Sequence, residues 1–141
     1  MTTETAPEQK IRFYTTAYTG KDVNDLKPML DRLDAVLVDV RFSPTDEIMR
    51  WRQIYLKTLL RENYHHISQL GSRETREGRI QIQHLDLGIK ILISFYSNAV
   101  LMCGCPDSKT CHRRIIAEEL RRKGYEVEEL EDWKAAETNQ F

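Results

Sequence analysis

The stretch AVLVDVR, residues 35–41, decides how this 141-residue chain is read. It is nearly all apolar, the pattern of a strand covered on both faces in a parallel sheet rather than one with a wet side. Asp39 and Arg41 interrupt it at the carboxyl end, and Asp39 stands between Val38 and Val40. A carboxylate in apolar surroundings needs a partner. Two readings stay open for Asp39: a structural group that caps the next loop or holds an arginine, or a catalytic acid or base.

The segments around this strand alternate in kind. IRFYTTAY (11–18) predicts a strand ending near Gly20, and DVNDLKPMLDRL (22–33) a helix in which Pro28 must kink the chain or lie in a first turn. TDEIMRWRQIYLKTLLREN (45–63) predicts one helix with Thr45 or Asp46 as N-cap, and with Trp51 and Tyr55 on its core face. YHHISQ (64–69) predicts a short strand, followed by a charged loop, GSRETREGR (71–79). A helix over HLDLGIKILISFYS (84–97), a strand over AVLMCG (99–104), a helix over KTCHRRIIAEELRRKG (109–124) and a last strand over YEVEEL (125–130) complete the alternation. The pattern predicts a Rossmann-like three-layer α/β domain with a mainly parallel sheet of about five strands. It should occupy residues 10–133, with flexible termini at 1–9 and 134–141. In such sheets the carboxyl ends of the strands share one edge, where ligands bind.

The composition is that of an ordinary globular chain, 40% hydrophobic and 30% charged, with a net charge of -1. That charge argues against non-specific coating of nucleic acid but leaves room for a local basic patch. No stretch has the length or the apolar core of a membrane span or signal peptide, so a cytoplasmic location and no membrane contact are expected. Three cysteines, an odd count, do not suggest a disulfide framework.

All three cysteines fall in MCGCPDSKTCHRR, residues 102–114. Cys103, Cys105, Cys111 and His112 have the ligand types of a Cys3His zinc site, but C-x-C before an adjacent C-H pair is not the two-knuckle spacing. No metal and no cofactor are therefore expected. Cys111 in a first helical turn would favour a thiolate, whereas Cys103 reads as a small apolar filler. The buried stripe of the helix, marked by Ile116 and Leu120, steps back onto His112 and Arg113. A buried arginine there needs an anion or a carboxylate. Arg113 is accordingly read as a ligand-binding group, with a structural pair to Asp39 as the plainer alternative. Arg73, Arg76 and Arg79 in the charged loop would form a phosphate-gripping lid if they face the same edge.

The motifs YTTAYTG, LVDVR, YHHISQLGS, LMCGCPDSKTCHRRIIAEEL and YEVEEL, over roughly residues 11 to 130, resemble the bacterial and archaeal family called domain of unknown function 488. The resemblance implies a compact Rossmann-like fold and no particular activity. By matched motif its signature positions are Tyr18, Gly20, Asp39, Arg41, Gly71, Cys103, Cys111, His112 and Arg113. The chain departs from the pattern after Arg41, where FSPTDEIMRW is acidic at Asp46 and Glu47, and in a short segment after Gly71.

These readings converge on a domain that binds a phosphate or nucleotide-type anion. The partner would be a phosphorylated small molecule or a nucleic-acid end. Tyr18, Gly20, Arg41, Gly71, Arg73, Cys103 and Arg113 would bind it, and His112, Asp39 and Cys111 would be the catalytic groups if the protein is an enzyme. The competing readings are a non-catalytic nucleotide sensor or partner-binding module, and a thiol redox sensor using Cys105 and Cys111. Whether the chain catalyses anything, and its oligomeric state, a homodimer included, stay open at this level.

Overall fold

The computed structural model of the chain describes residues 11–44, 46–74, 80–104 and 112–135. In chain order its strands are β1 (Arg12–Ala17), β2 (Val36–Asp39), β3 (Tyr64–His66), β4 (Ser72–Glu74), β5 (Ile80–Ile82), β6 (Asn98–Cys103) and β7 (Glu126–Glu129). Its α-helices are α1 (Leu26–Leu33), α2 (Gln53–Leu60), α3 (Leu85–Phe95) and α4 (His112–Arg122). Five strands form one sheet in the order β3-β2-β6-β1-β7, with every neighbouring pair parallel. β4 and β5 pair separately as an antiparallel ribbon.

Strand alternation sends successive residues to opposite faces, and two apolar layers result. On one face Tyr14, Leu37, Val100 and Met102 pack with Leu26, Met29, Leu30 and Leu33 of α1 and with Leu56 and Leu60 of α2. On the other, Phe13, Val38, Leu101 and Cys103 pack with Ile89 and Leu92 of α3 and with Ile116 and Leu120 of α4. The result is the three-layer, Rossmann-like α/β arrangement. Each fully buried leucine or isoleucine in these layers contributes about 1.5–3 kcal/mol. Val36, Leu37 and Val38 of β2 are apolar because both faces of the strand are covered, which explains the apolar run of AVLVDVR.

The chain exits β1 and β2 toward the α1/α2 face, but exits β6, which lies between them, toward the α4 face. The direction of the connections thus reverses around the carboxyl end of β6. In open α/β sheets such a reversal leaves a crevice suited to ligands.

Two local expectations need correction. Residues 45–63 do not form one helix: a 3-10 turn at Met49–Trp51 precedes α2, with an extended Arg52 (ψ 151°) between them. This break resets the helical phase, so Leu56 and Leu60 are buried while Tyr55, expected in the core, is exposed. The charged loop after Gly71 contains β4, whose Ser72, Arg73 and Glu74 pair with Ile82, Gln81 and Ile80. On α4, Glu118 pairs with Arg114, and Glu119 with Arg122. Pro28 is accommodated simply. A 3-10 turn at Val23–Asp25 comes first and α1 begins at Leu26, so the missing N–H of Pro28 falls in a first turn that has no acceptor for it anyway.

Candidate functional site

The residues that end β1 and β2 on the α1/α2 face build one connected group. Asp39 is fully buried, and its carboxylate accepts four hydrogen bonds. Oδ1 takes the Arg41 backbone N–H (3.1 Å) and Nε–H (2.8 Å); Oδ2 takes Arg41 Nη2–H (2.6 Å) and the Tyr64 hydroxyl (2.7 Å). A carboxylate offers about four lone-pair positions, so all of them are engaged. The geometry makes Asp39 the holder of Arg41, by a two-pronged ion pair, and leaves it no lone pair with which to act as a base.

Arg41 is 10% exposed in its side chain and reaches the edge of the sheet. Burial works against its charge, yet the hydrogen bonds and charge of Asp39 more than offset this and leave its pKa raised. Its Nη1 donates to the Tyr18 hydroxyl oxygen at 3.3 Å, and its guanidinium carbon lies 5.0 Å from the centre of the Tyr18 ring. The Tyr18 hydroxyl in turn donates to Asp46 Oδ2. His66 Nε2 donates to the Arg41 carbonyl at 2.6 Å, and the Ile67 N–H to the Asp39 carbonyl at 3.1 Å, so the backbone here is fixed as well.

Beneath Arg41 lies an aromatic support. Tyr18 stacks on Trp51 with ring centres 4.7 Å apart, and Trp51 meets Trp133 edge-on at 6.0 Å. Trp133 Nε1–H donates to Thr16 Oγ1 (2.8 Å), and the Thr16 hydroxyl donates to the Leu130 carbonyl (2.8 Å). Burial first, and the bond to Asp46 second, push the Tyr18 phenol up to about 12. A raised folded pKa means that the protonated phenol stabilises the fold; its contribution is complete below the ordinary value of 10.0 and is lost as pH rises through about 12. In an absorbance titration by rapid pH jump, Tyr18→Phe should therefore remove a phenol that ionises near 12. Loss of one that ionises near 10 would show the hydroxyl to be free in solution.

Arg113 and His112 lie at the same edge but on the opposite face of the sheet. Arg113 is 2% exposed and pairs with Glu129 of β7, Nη2 to Oε2 at 2.8 Å and Nε to both oxygens at 3.1 Å. Its Nη1 lies 3.3 Å from Cys103 Sγ. The structural pair expected with Asp39 is corrected here: the two belong to different layers, and Glu129 is the carboxylate that neutralises Arg113. Thr15 Oγ1 donates to the same Glu129 at 2.6 Å. His112 Nε2 donates to the Val40 carbonyl at 3.0 Å, tying the start of α4 to the end of β2. The structure thus brings Tyr18, Asp39 and Arg41 together in one group, and Cys103, His112 and Arg113 in another.

The other candidate positions are scattered. Gly20 turns the chain after β1 with φ +79°, and nothing lies within 4 Å of where its Cβ would stand. Gly71 lets the Phe42 backbone approach: an added Cβ would lie 2.3 Å from Phe42 Cα. Arg73 belongs to β4. Cys105 and Cys111 lie outside the described residues, as do Arg76, Arg79 and Thr45. Among the described residues no cluster of three His, Cys, Asp or Glu side chains could hold a metal ion. None of the described helices is long and apolar enough to cross a membrane. A cavity of about 500 Å³ lined by Lys27, Tyr55, Leu59, Arg61, Glu62 and Asn63 shares no residue with either group.

Sequence reasoning missed Tyr64, Asp46, Glu129 and Trp133. Tyr64 opens the short strand expected over YHHISQ, where nothing in the sequence marks its hydroxyl as a partner of Asp39. Glu129 alternates with exposed neighbours in an edge strand, and Trp133 follows the last strand, where only its size hinted at burial.

The chain is thus an α/β protein with an all-parallel five-stranded sheet and a fixed arginine at its carboxyl edge. No family model matches the sequence, and no curated protein matches it. Among solved structures, a de novo designed protein of P-loop NTPase fold, determined by solution NMR, has 14% sequence identity and a TM-score of 0.43, over 91% of this chain and 87% of that one.

Proposed function

We propose that the carboxyl edge at Arg41 binds a phosphorylated ligand of nucleotide type, and that the chain belongs with the domain of unknown function 488 family its motifs resemble. The observation that carries the binding reading is the Asp39–Arg41 pair. Three of the five guanidinium N–H groups are engaged: Nε and one Nη2 hydrogen by Asp39, one Nη1 hydrogen by Tyr18. Among the described residues the Tyr64 hydroxyl also lies against this guanidinium, so at most two N–H groups remain for a ligand, on an arginine whose orientation is already fixed from behind. Charge-assisted hydrogen bonds contribute roughly 1.5–3 kcal/mol each, so two of them alone support affinity from several millimolar to roughly tens of micromolar.

The geometry favours binding over catalysis. Asp39 is occupied by its partners and the His112 Nε2 proton by the Val40 carbonyl. A second reading, docking of another protein chain, has one observation in its favour: Phe42, Ile48, Met49 and Ile54 are all exposed within 13 residues.

A thermal-shift panel of nucleoside mono-, di- and triphosphates and sugar phosphates tests the proposal. A ligand should raise the melting temperature of the native protein. Arg41→Lys should bind it at least ~10-fold more weakly, because an ammonium cannot grip Asp39 and a phosphate in two planar forks. Arg114→Ala, which removes an exposed arginine paired to Glu118, should bind as the native protein does. A panel without any stabilising phosphate, or equal binding by Arg41→Lys, would refute the reading.

A further inference from the structure

We propose that Asp46 is an internal carboxylate that holds the anion position of this edge, so that a ligand must displace it. The inference rests on the reading of Arg41 as the anion-holding group. Tyr18 has a single hydroxyl proton, and that proton goes to Asp46 Oδ2. The same phenol oxygen accepts from Arg41 Nη1 at 3.3 Å. Guanidinium, phenol and carboxylate therefore form one chain of hydrogen bonds that ends on Asp46, where a ligand oxygen would otherwise end it.

The two aspartates of the group are held very differently. Asp39 lies at 0% exposure with a two-pronged ion pair, and it can leave only if the fold opens. Asp46 is partly exposed and makes no ion pair of its own among the described residues. Its Oδ1 accepts the Ile48 N–H at 2.8 Å, and Arg52 Nε–H donates to its backbone carbonyl at 2.6 Å. These contacts place the carboxylate without locking it. The Tyr18 bond holds the Asp46 carboxyl below its ordinary range, with the Ile48 N–H adding to this, so it is charged at neutral pH.

The charges show what the displacement does. Asp39, Arg41 and Asp46 together carry a formal charge of -1, and Arg52, whose Nε–H donates to the Asp46 carbonyl, brings the group to zero. With Asp46 swung out, Asp39, Arg41 and Arg52 sum to +1, and the Tyr18 proton joins the Arg41 N–H groups that remain. The site then presents donors from Tyr18 and Arg41 and a net positive charge. Asp46 thus sets a threshold that only a ligand with a stronger claim on these donors would cross.

The test is calorimetric titration with inorganic phosphate at 0.15 M ionic strength. Asp46→Asn keeps the shape and the contact with the Ile48 N–H but removes the charge, and should tighten phosphate about 10-fold, equivalent to about 1.4 kcal/mol. Glu47→Gln removes a neighbouring exposed charge that does not touch Tyr18; screening should hold its effect within about 2-fold. Adding Arg41→Lys to Asp46→Asn should abolish the gain. Should Asp46→Asn fold poorly, Asp46→Ser keeps a side-chain acceptor for the Ile48 N–H and should show the same gain. Equal phosphate affinity in the native protein and Asp46→Asn would overturn the proposal while leaving the Arg41 reading intact. An equal gain in Glu47→Gln would overturn it too, as a general charge effect. If phosphate binds none of the variants while a nucleotide binds at Arg41, the threshold is wrong; if nothing binds, the Arg41 reading falls and takes this one with it.

Discussion

Replacing Asp39 with alanine should lower the stability of the fold by about 3–5 kcal/mol, a drop of roughly 10–20 °C in melting temperature. The substitution leaves the Arg41 guanidinium, 10% exposed, without its counter-charge, and leaves the Tyr64 hydroxyl without its acceptor. Removing one partner of a buried ion pair is far more damaging than the pair is stabilising, because the remaining charge stays desolvated. Asp39→Asn should recover only part of the loss, since it restores shape but not charge. Urea unfolding measures both, and a loss below about 1 kcal/mol for Asp39→Ala would mean that Arg41 is not held as described.

Trp133→Ala should have an effect of the same size, about 3–5 kcal/mol, for a different reason. Its indole is 2% exposed, meets Trp51 edge-on at 6.0 Å and donates to Thr16 Oγ1 at 2.8 Å. Truncation opens a cavity against Trp51, on which Tyr18 stacks, and so loosens the support under Arg41. Trp133→Phe, which fills most of the space but cannot reach Thr16, should lose much less. The comparison is made by denaturant unfolding. Near-equal losses would assign the stabilisation to the hydrogen bond rather than to packing.

What could be read in the sequence follows from which interactions are local. AVLVDVR gave away a parallel sheet because both sides of β2 are covered, and Leu37 and Val38, adjacent in sequence, lie in different cores. The stripe of α4 was legible because a helical face repeats within four residues. The partners of the charged groups were not. Arg113 finds Glu129 16 positions away, Tyr64 reaches Asp39 over 25, and Trp133 reaches Thr16 over 117. Such pairings follow from strand order, and the order β3-β2-β6-β1-β7 leaves no periodic mark in the chain. The broken helix before α2 was hidden for another reason. Asp46 looked like an N-cap, but its carboxylate serves the Ile48 N–H and the Tyr18 hydroxyl instead.

The central claim is one of place: an anionic ligand meets the protein at Arg41. Two-dimensional NMR of the isotope-labelled protein, titrated with the most stabilising phosphate of the thermal-shift panel, locates the contact directly. The account predicts the largest shifts at the Arg41 Nε–H and at the amides of Tyr18, Arg41 and Gly104. Shifts confined to Lys27, Arg61 and Asn63, or to Arg114 on the outer face of α4, with Arg41 unmoved, would contradict it.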